Sequence, residues 1–375
     1  MTATEVDIAV VGAGIAGLSA AAELARSRRV VVLESEPQPG YHSTGRSAAV
    51  FAETYGSDLI RSLTRASRPF FERPPFGFSL QPLLETCGAL FIARQDQLES
   101  LDNFADEEDI MRTGRLVSGE QALAHCPVLR NDYVAAALWD PAPAEIDVAS
   151  LLDGYRRQLL ERGGSLVTAA TVLGMASSGG RWRTATSEGE FVSAVVVNAA
   201  GAWADQIAAL AGVPGIGLEP RRRTAVLARA SEAQVLTSRM LVIDVDEQFY
   251  FRAESGDVFV SPADETLTPP CDAQPEELDV AIAIDRLMTA TTLQVRSVRS
   301  KWAGLRCFVA DRNPVVGFDS HQDGFFWLAA QGGYGIQTAP AIASLAAAIL
   351  LDGPLPDGIE DHDVARLAPG RLTRR

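Results

Sequence analysis

The chain has 375 residues, of which 47% are hydrophobic and 22% are charged, so it can bury a large core and is not disordered throughout. Its 33 basic and 48 acidic residues give a net charge of −15, which excludes a broad nucleic-acid surface, because binding to phosphates needs dense positive charge. Lys301 is the only lysine, so cofactor chemistry through a lysine Schiff base is disfavoured.

The histidines and cysteines do not form a recognisable metal or disulfide pattern. Four histidines and four cysteines are scattered without metal-ligand or CxxC spacing, and we interpret His42 and His125 as structural. Reduced cysteines are typical of cytosolic proteins. The acidic N-terminus does not resemble a secretory signal, and no apolar run is long enough to span a bilayer. We therefore predict a cytoplasmic protein with no bound metal and no transmembrane segment.

The strongest motif lies at the N-terminus. Residues 7–11 are a short apolar run, as in a buried parallel strand, and lead into Gly12-Ala-Gly14-Ile-Ala-Gly17 and then an alanine-rich helical pattern. A second apolar run ends at Glu34. Gly12 would permit the tight turn, Gly14 the approach of a pyrophosphate, and Gly17 the packing of the helix on the strand. Glu34 would bind ribose hydroxyls, so the segment predicts dinucleotide binding and disfavours NADP.

The segment after Glu34 favours FAD over NAD. Residues 37–49 are rich in glycine, serine, proline and alanine, unlike the second βα unit of an NAD-dependent dehydrogenase. Such small residues could pack closely against a flat ring system, although their composition is equally typical of a surface loop.

Two later segments complete a family pattern. Residues 195–203 read Val-Val-Val-Asn-Ala-Ala-Gly-Ala-Trp, and residues 324–338 combine an apolar strand with a glycine-rich turn before an alanine-rich helix at residues 339–351. Together with the N-terminal motif, they resemble the flavin-binding segments of the D-amino-acid oxidase/glycine oxidase superfamily of FAD-dependent amine oxidoreductases. The resemblance covers nearly the whole chain and is closest to the bacterial D-arginine dehydrogenase branch.

The resemblance implies an α/β, two-domain fold with non-covalently bound FAD. A Rossmann-like FAD-binding domain would comprise residues 1–50, 141–217 and 304–375. A discontinuous substrate-binding domain of mixed β-sheet plus helices would comprise residues 51–140 and 218–303. The implied FAD-binding residues are Gly12, Gly14, Ile15, Ala16, Gly17, Glu34, Ser35, Ser43, Thr44, Gly45, Arg46, Ser47, Ala48, Ala49, Val172, Ala200, Gly201, Gly332, Gly333, Tyr334, Gly335, Ile336 and Gln337.

Oxidation of an amine on a flavin requires positioning of the substrate more than proton transfer. Arginine suits an α-carboxylate because its planar guanidinium binds two oxygens and stays charged. The resemblance places this role on Arg306, assisted by Tyr250 and Arg223, with Tyr55 on a lid over the pocket. Tyr250 and Tyr55 could instead be packed aromatics, and Arg223 could lie on a solvated face.

Departures from the D-arginine branch bear on the substrate. Ala89 aligns with the branch's carboxylate for a basic side chain, and Val50 and Ala52 align with a histidine and a threonine. A cationic side chain of the substrate would have no carboxylate partner at this position, so we predict a substrate with a neutral or apolar side chain. Glu85 would supply the missing charge if the alignment were shifted.

The predicted reaction is oxidative deamination of a D-amino acid by hydride transfer from Cα to flavin N5, and the imino acid then hydrolyses to a 2-keto acid and ammonia. Oxygen or a quinone-like compound would accept the electrons. The alternatives are an oxidase of secondary amines that resemble sarcosine, proline or pipecolate, and a flavoprotein subunit without independent amine oxidase activity. Covalent attachment of flavin to Cys307 is disfavoured, because the local pattern differs from relatives that use a cysteine; a buried thiol is expected.

Overall fold

Helices and strands alternate along the chain around two large sheets. The computed structural model of the protein describes residues 3–231 and 239–372. In chain order, the strands are β1 (Thr4–Glu5), β2 (Ile8–Val11), β3 (Val30–Leu33), β4 (Val50–Phe51), β5 (Leu84–Thr86), β6 (Ala89–Ala93), β7 (Arg115–Ser118), β8 (Ala136–Asp140), β9 (Ala144–Ile146), β10 (Ser165–Val167), β11 (Val172–Ser178), β12 (Arg181–Thr186), β13 (Gly189–Ser193), β14 (Val195–Asn198), β15 (Glu219–Ala230), β16 (Leu241–Asp244), β17 (Tyr250–Glu254), β18 (Asp257–Ser261), β19 (Thr266–Leu267), β20 (Val295–Phe308), β21 (Val315–Phe318) and β22 (Phe325–Ala329). The helices are α1 (Ile15–Leu24), α2 (Asp58–Glu72), α3 (Leu98–Ala105), α4 (Gly119–His125), α5 (Val148–Glu161), α6 (Ala204–Leu210), α7 (Glu277–Ala290), α8 (Ala339–Leu351) and α9 (Asp361–Leu367).

The N-terminal motif belongs to a six-stranded sheet in the order β10-β3-β2-β14-β22-β21. The first five strands are parallel, and β21 runs antiparallel to β22. Helices α1, α5 and α8 cover one face, and α6 with the small sheet β1-β13-β12-β11 covers the other. Burial on both faces explains why the strands are continuous apolar runs. The predicted Rossmann-like architecture is confirmed.

The carboxyl ends of the parallel strands meet at one edge of this sheet. Gly12 follows β2, Glu34 follows β3, Ala199 follows β14 and Ala330 follows β22. Open α/β sheets bind their ligands at this edge. The three glycine-containing segments of the sequence, far apart in the chain, therefore lie at the same place in the fold.

The second large sheet is mixed and has nine strands. Eight follow the order β19-β15-β18-β17-β16-β6-β8-β7, and β20 pairs with β15 along its length. Only β16 and β6 are parallel neighbours in this sheet. Helices α4 and α7 cover one face with a core of aliphatic residues and phenylalanines, so the alternate side chains of the same strands point away from these helices. The predicted second region of mixed β-sheet and helices is confirmed.

The two-domain division by residue range remains a proposal. Strand β20 crosses the predicted boundary at residue 304, because its pairing with β15 continues to Phe308. The short strand β19 lies within the predicted substrate-binding domain and pairs with Arg221 and Arg222 of β15. Helix α8 has the predicted bounds of 339–351. No helix in the described ranges is long and apolar enough to cross a bilayer.

The packing of α1 on the sheet can be tested by a substitution at Gly17. A Cβ at Gly17 would lie 1.9 Å from the carbonyl oxygen of Gly12, which is backbone and cannot rotate away. We expect Gly17→Ala to cost about 3 kcal/mol through overpacking and to lower the midpoint of thermal unfolding by several degrees.

The matched control is Gly174→Ala, because no atom lies within 4 Å of a Cβ at this position on β11. Equal unfolding midpoints for the two variants would contradict the close approach of α1 to the strand end.

Candidate active site

A cavity lies between the two large sheets. It has a volume of ≈ 1660 Å³, including its opening to solvent, and lies between the carboxyl edge of the six-stranded sheet and the face of the nine-stranded sheet opposite α4 and α7. All four predicted substrate-positioning residues line it: Arg306, Tyr250, Arg223 and Tyr55. The predicted FAD-binding residues that line it are Gly14, Ile15, Ala16, Ser43, Thr44, Arg46, Ser47, Ala48, Ala49, Gly201, Gly332, Gly333, Gly335, Ile336 and Gln337.

The N-terminus of α1 forms one end of the cavity. Gly12 has a φ of 103°, which only glycine adopts readily, and its Cβ would lie 2.5 Å from the Ala199 carbonyl oxygen. Gly14 is the N-cap residue of α1 and has no side chain that could cap the helix. The first N–H of the helix, that of Ile15, donates to Thr44 Oγ1 at 3.1 Å. A helix N-terminus with open N–H groups attracts the negative charge of a phosphate.

Several of the predicted FAD-binding residues support this end without lining the cavity. The Glu34 carboxylate accepts hydrogen bonds from the N–H groups of Ala13 at 2.7 Å and Glu36 at 2.9 Å. The Ala170 N–H donates to the Glu34 carbonyl oxygen at 2.7 Å, which brings the start of β11 close to β3. The remaining predicted positions outside the cavity lining are Gly12, Gly17, Ser35, Gly45, Val172, Ala200 and Tyr334.

The segment after Glu34 is attached to the second sheet. Ser43 Oγ donates to the Leu305 carbonyl oxygen at 2.7 Å, and Arg46 donates to the Ala303 carbonyl oxygen at 3.0 Å. Both acceptors lie on β20, so the small residues of this segment are held along the cavity between the sheets.

The turn before α8 forms the third wall. The Gln337 side chain is 2% exposed; its Oε1 accepts from the Ala52 N–H at 3.2 Å, whereas its Nε2 has no partner among the described residues. The Nε2 of Gln331, which also lines the cavity, is likewise unpartnered in the described chain. Unpaired buried donors are costly, so these amides indicate a ligand with acceptor atoms. Together with the α1 N-terminus, this donor set fits FAD: the α1 end would hold its phosphates, and the residue 331–337 turn would hold the acceptor edge of its ring.

Arg306 lies at the other end of the cavity without a carboxylate partner among the described residues. Its Nη1 donates to the Tyr55 hydroxyl at 3.1 Å. A Cβ at Gly333 would be 2.6 Å from this Nη1, so the guanidinium packs directly against the glycine turn. A half-buried arginine without an acidic partner is a favourable site for an anion.

The tyrosines around Arg306 differ in their acidity. Burial raises the pKa of the Tyr55 phenol. Burial would also raise the pKa of Tyr250, but the charges of Arg306 and then Arg223 outweigh it and hold the Tyr250 pKa below its ordinary value. Tyr250 therefore lies in the positive field of both guanidinium groups, where a ligand carboxylate would also be attracted. The Tyr55 ring contacts the Tyr334 ring, with their centroids 4.9 Å apart.

Strand alternation separates the three consecutive arginines of β15. Arg223 lines the cavity, and its Nε donates to the Asp264 carbonyl oxygen at 2.9 Å. Arg222 points to the opposite face, where its Nη2 donates to Asp279 at 2.9 Å. Arg221 pairs with Glu219 and does not line the cavity. Successive side chains on a strand point to opposite faces, which directs Arg222 away from the site, whereas Arg221 shares a face with Arg223 but is held by Glu219 outside the lining.

Apolar side chains cover the remaining wall. Ala89 lies in the cavity, as do Val50 and Ala52, whereas Glu85 is exposed and pairs with Arg239 at 3.5 Å. Sequence reasoning missed the larger apolar residues of this wall and the exposed carboxylate of Glu247. Alternation within the strands was a signal for them, but the pairing of β6 with β16 was needed to bring them together. The missed residues are Phe91, Leu241, Ile243, Glu247 and Phe259.

Three further residues singled out in the sequence have ordinary packing environments. His42 contacts Glu36 through Nε2 at 2.9 Å and packs on Trp203, with ring centroids 4.6 Å apart. His125 stacks on Trp139, with centroids 4.5 Å apart. Cys307 is buried at the cavity wall, and burial raises the pKa of its thiol to about 12, so it is protonated at neutral pH and a weak nucleophile.

Comparisons with known proteins agree with this geometry. A family model described as FAD dependent oxidoreductase (DAO) matches residues 7–349. FAD-dependent oxidoreductase domain-containing protein 1 of Bos taurus is 27% identical over 92% of this chain and 81% of its own length. The crystal structure of L-proline dehydrogenase from P. horikoshii has a TM-score of 0.83 and 23% identity, covering 100% of this chain and 99% of that one. Glycine oxidase from Geobacillus kaustophilus has a TM-score of 0.84 and 21% identity, covering 99% of both chains. The chain therefore belongs to the DAO family of FAD-dependent oxidoreductases.

Proposed function

We propose that this flavoprotein oxidatively deaminates an amino acid, specifically a D-amino acid with a neutral or apolar side chain. The observation that carries the proposal is Arg306, a guanidinium enclosed in the cavity beside the glycine turn and unpaired with any described carboxylate. An α-carboxylate matches its planar pair of donors.

The chain's own residues would bind and orient the substrate. Arg306 and Arg223 supply donors for the carboxylate, and Tyr250 lies in the field of both. Tyr55, hydrogen-bonded to Arg306, closes this end against water. When bound, FAD supplies the hydride acceptor for the substrate α-carbon. The oxidised amine then hydrolyses in water to a 2-keto acid and ammonia.

The side-chain preference follows from the apolar wall. Ala89, Phe91 and Ile243 present no acceptor for a cationic side chain, which would be desolvated without a partner. Glu247 lies in the lining but is exposed to solvent, so it does not offer a buried charge partner. The preference for the D-enantiomer is supported by the resemblance to the D-arginine dehydrogenase branch at Arg306, Tyr250 and Arg223.

A secondary-amine substrate is the second candidate. A carboxylate clamp facing an apolar wall also suits a ring that contains the amine nitrogen, and L-proline dehydrogenase is among the proteins of similar fold. Oxygen or a quinone-like compound remains the proposed electron acceptor for either substrate class.

A substrate panel separates these candidates. Anaerobic reduction of the bound flavin is followed by absorbance with D-alanine, D-leucine, D-phenylalanine, D-arginine, their L-enantiomers, sarcosine and L-proline. We expect the fastest reduction with D-leucine or D-phenylalanine. Fastest reduction by D-arginine would contradict the neutral pocket, and fastest reduction by sarcosine or L-proline would establish the secondary-amine alternative.

Substitution of Arg306 tests the carboxylate site. We expect Arg306→Gln to reduce kcat/KM for the best substrate by about a hundredfold, because charge-assisted hydrogen bonds to the carboxylate are lost. The flavin content of the purified protein should be unchanged. Arg221→Gln is the control, since Arg221 is the cross-strand neighbour of Arg306 on β15 but lies outside the cavity lining. Unchanged kcat/KM in the Arg306 variant would rule out this role.

The linkage of FAD can be tested by acid precipitation of the holoenzyme. We expect all flavin absorbance in the supernatant, because the Cys307 thiol has a pKa of about 12 and is poorly nucleophilic. Cys307→Ser should release its flavin in the same way. Flavin that stays with the wild-type polypeptide but not with the serine variant would show a covalent bond.

A further inference from the structure

Sequence reasoning did not identify Glu265, a carboxylate bonded to the cavity residue Arg223 but itself outside the cavity lining, with a side chain that is 29% exposed. Glu265 is the residue directly before β19, and its side chain accepts hydrogen bonds from two arginines. Arg312 binds it with both terminal nitrogens, Nη1 to Oε2 at 3.1 Å and Nη2 to Oε1 at 2.9 Å. Arg223 Nη2 donates to Oε1 at 3.2 Å. Glu265 therefore occupies donors that a ligand carboxylate could otherwise use.

The charges at this end leave room for one ligand carboxylate. Among the described residues, Arg306, Arg223 and Glu247 line this end of the cavity, while Glu265 and Arg312 lie outside the lining, where Glu265 pairs with both Arg223 and Arg312. Three positive groups thus face two negative ones. One ligand carboxylate completes the balance, whereas a second would find Arg312 taken and would be repelled by Glu265.

We propose that Glu265 is a specificity-determining residue that restricts the site to monocarboxylic ligands, because it takes the positions on Arg223 and Arg312 that a second carboxylate would occupy. The inference rests on the proposed function in one respect, namely that the ligand's first carboxylate binds at Arg306. It excludes amino acids with an acidic side chain and amines that carry two carboxylates as good ligands.

Two ligands that differ only in the second carboxylate test this inference. Succinate and its monoamide, succinamate, are titrated into the wild-type holoenzyme by isothermal calorimetry, which needs no turnover. We expect succinamate to bind about tenfold more tightly than succinate, since the extra negative charge of succinate is repelled by Glu265. In Glu265→Gln, succinate should bind more tightly than it does to the wild type, so that the affinities for succinate and succinamate become about equal.

Matched variants separate charge from structural effects. Glu265→Asp keeps the charge and should keep the preference. Arg312→Gln removes a positive partner of the Glu265 carboxylate and should increase the preference for succinamate over succinate. This variant keeps the test decisive if Glu265→Gln does not fold. Glu276→Gln is the control, because the exposed Glu276 pairs with Arg222 on the opposite face of β15 and should leave both affinities unchanged.

The outcomes distinguish this inference from the proposed function. Equal affinities for the two ligands in the wild type, equal weakening of both in Glu265→Gln, or loss of the preference in Glu265→Asp would overturn the role of Glu265. Failure of the wild-type holoenzyme to bind succinamate at all would instead contradict the carboxylate site at Arg306, and with it the proposed function.

Discussion

A half-buried guanidinium without an acidic partner is the constraint on which the candidate site depends. A charge that is partly withdrawn from water is costly unless it is paired and hydrogen-bonded, yet Arg306 has only the Tyr55 hydroxyl as a hydrogen-bond partner within the described chain. A Cβ at residue 333 would collide with the guanidinium, which the glycine there avoids. The surrounding structure therefore holds a cation ready for an anionic ligand, and pairing of β20 with β15 fixes its position.

The fold brings this cation to the FAD site through two different sheets. The parallel sheet collects glycine turns at its carboxyl edge, as open α/β sheets do. The mixed sheet uses one face for its core against α4 and α7 and the alternate side chains for the cavity wall. Ser43 and Arg46 connect the sheets by bonding to carbonyl groups of β20. The residues proposed for substrate positioning and those proposed for FAD binding thus line one cavity, and the proposed reaction needs few acid–base residues because the cofactor carries the redox chemistry.

Local patterns in the sequence predicted the parts of the structure that local forces determine. The glycine turn after β2 and the apolar helix at 339–351 depend on residues that are neighbours in the sequence, and both were predicted. The parallel pairing of β6 with β16 was not predictable, because it joins strands nearly half the chain apart. Glu265 was missed for the same reason, since its contact with Arg312 depends on tertiary structure. The roles of Arg306, Tyr250, Arg223 and Tyr55 remain a proposal, although all four line one cavity.

The most direct test of the central claim is a crystal structure of the FAD-loaded protein with bound benzoate. The account predicts that both carboxylate oxygens lie within hydrogen-bond distance of the Arg306 guanidinium, with the aromatic ring against the apolar wall formed by Phe91, Ile243 and Phe259. A benzoate bound elsewhere in the cavity, with Arg306 making no contact to it, would contradict the account.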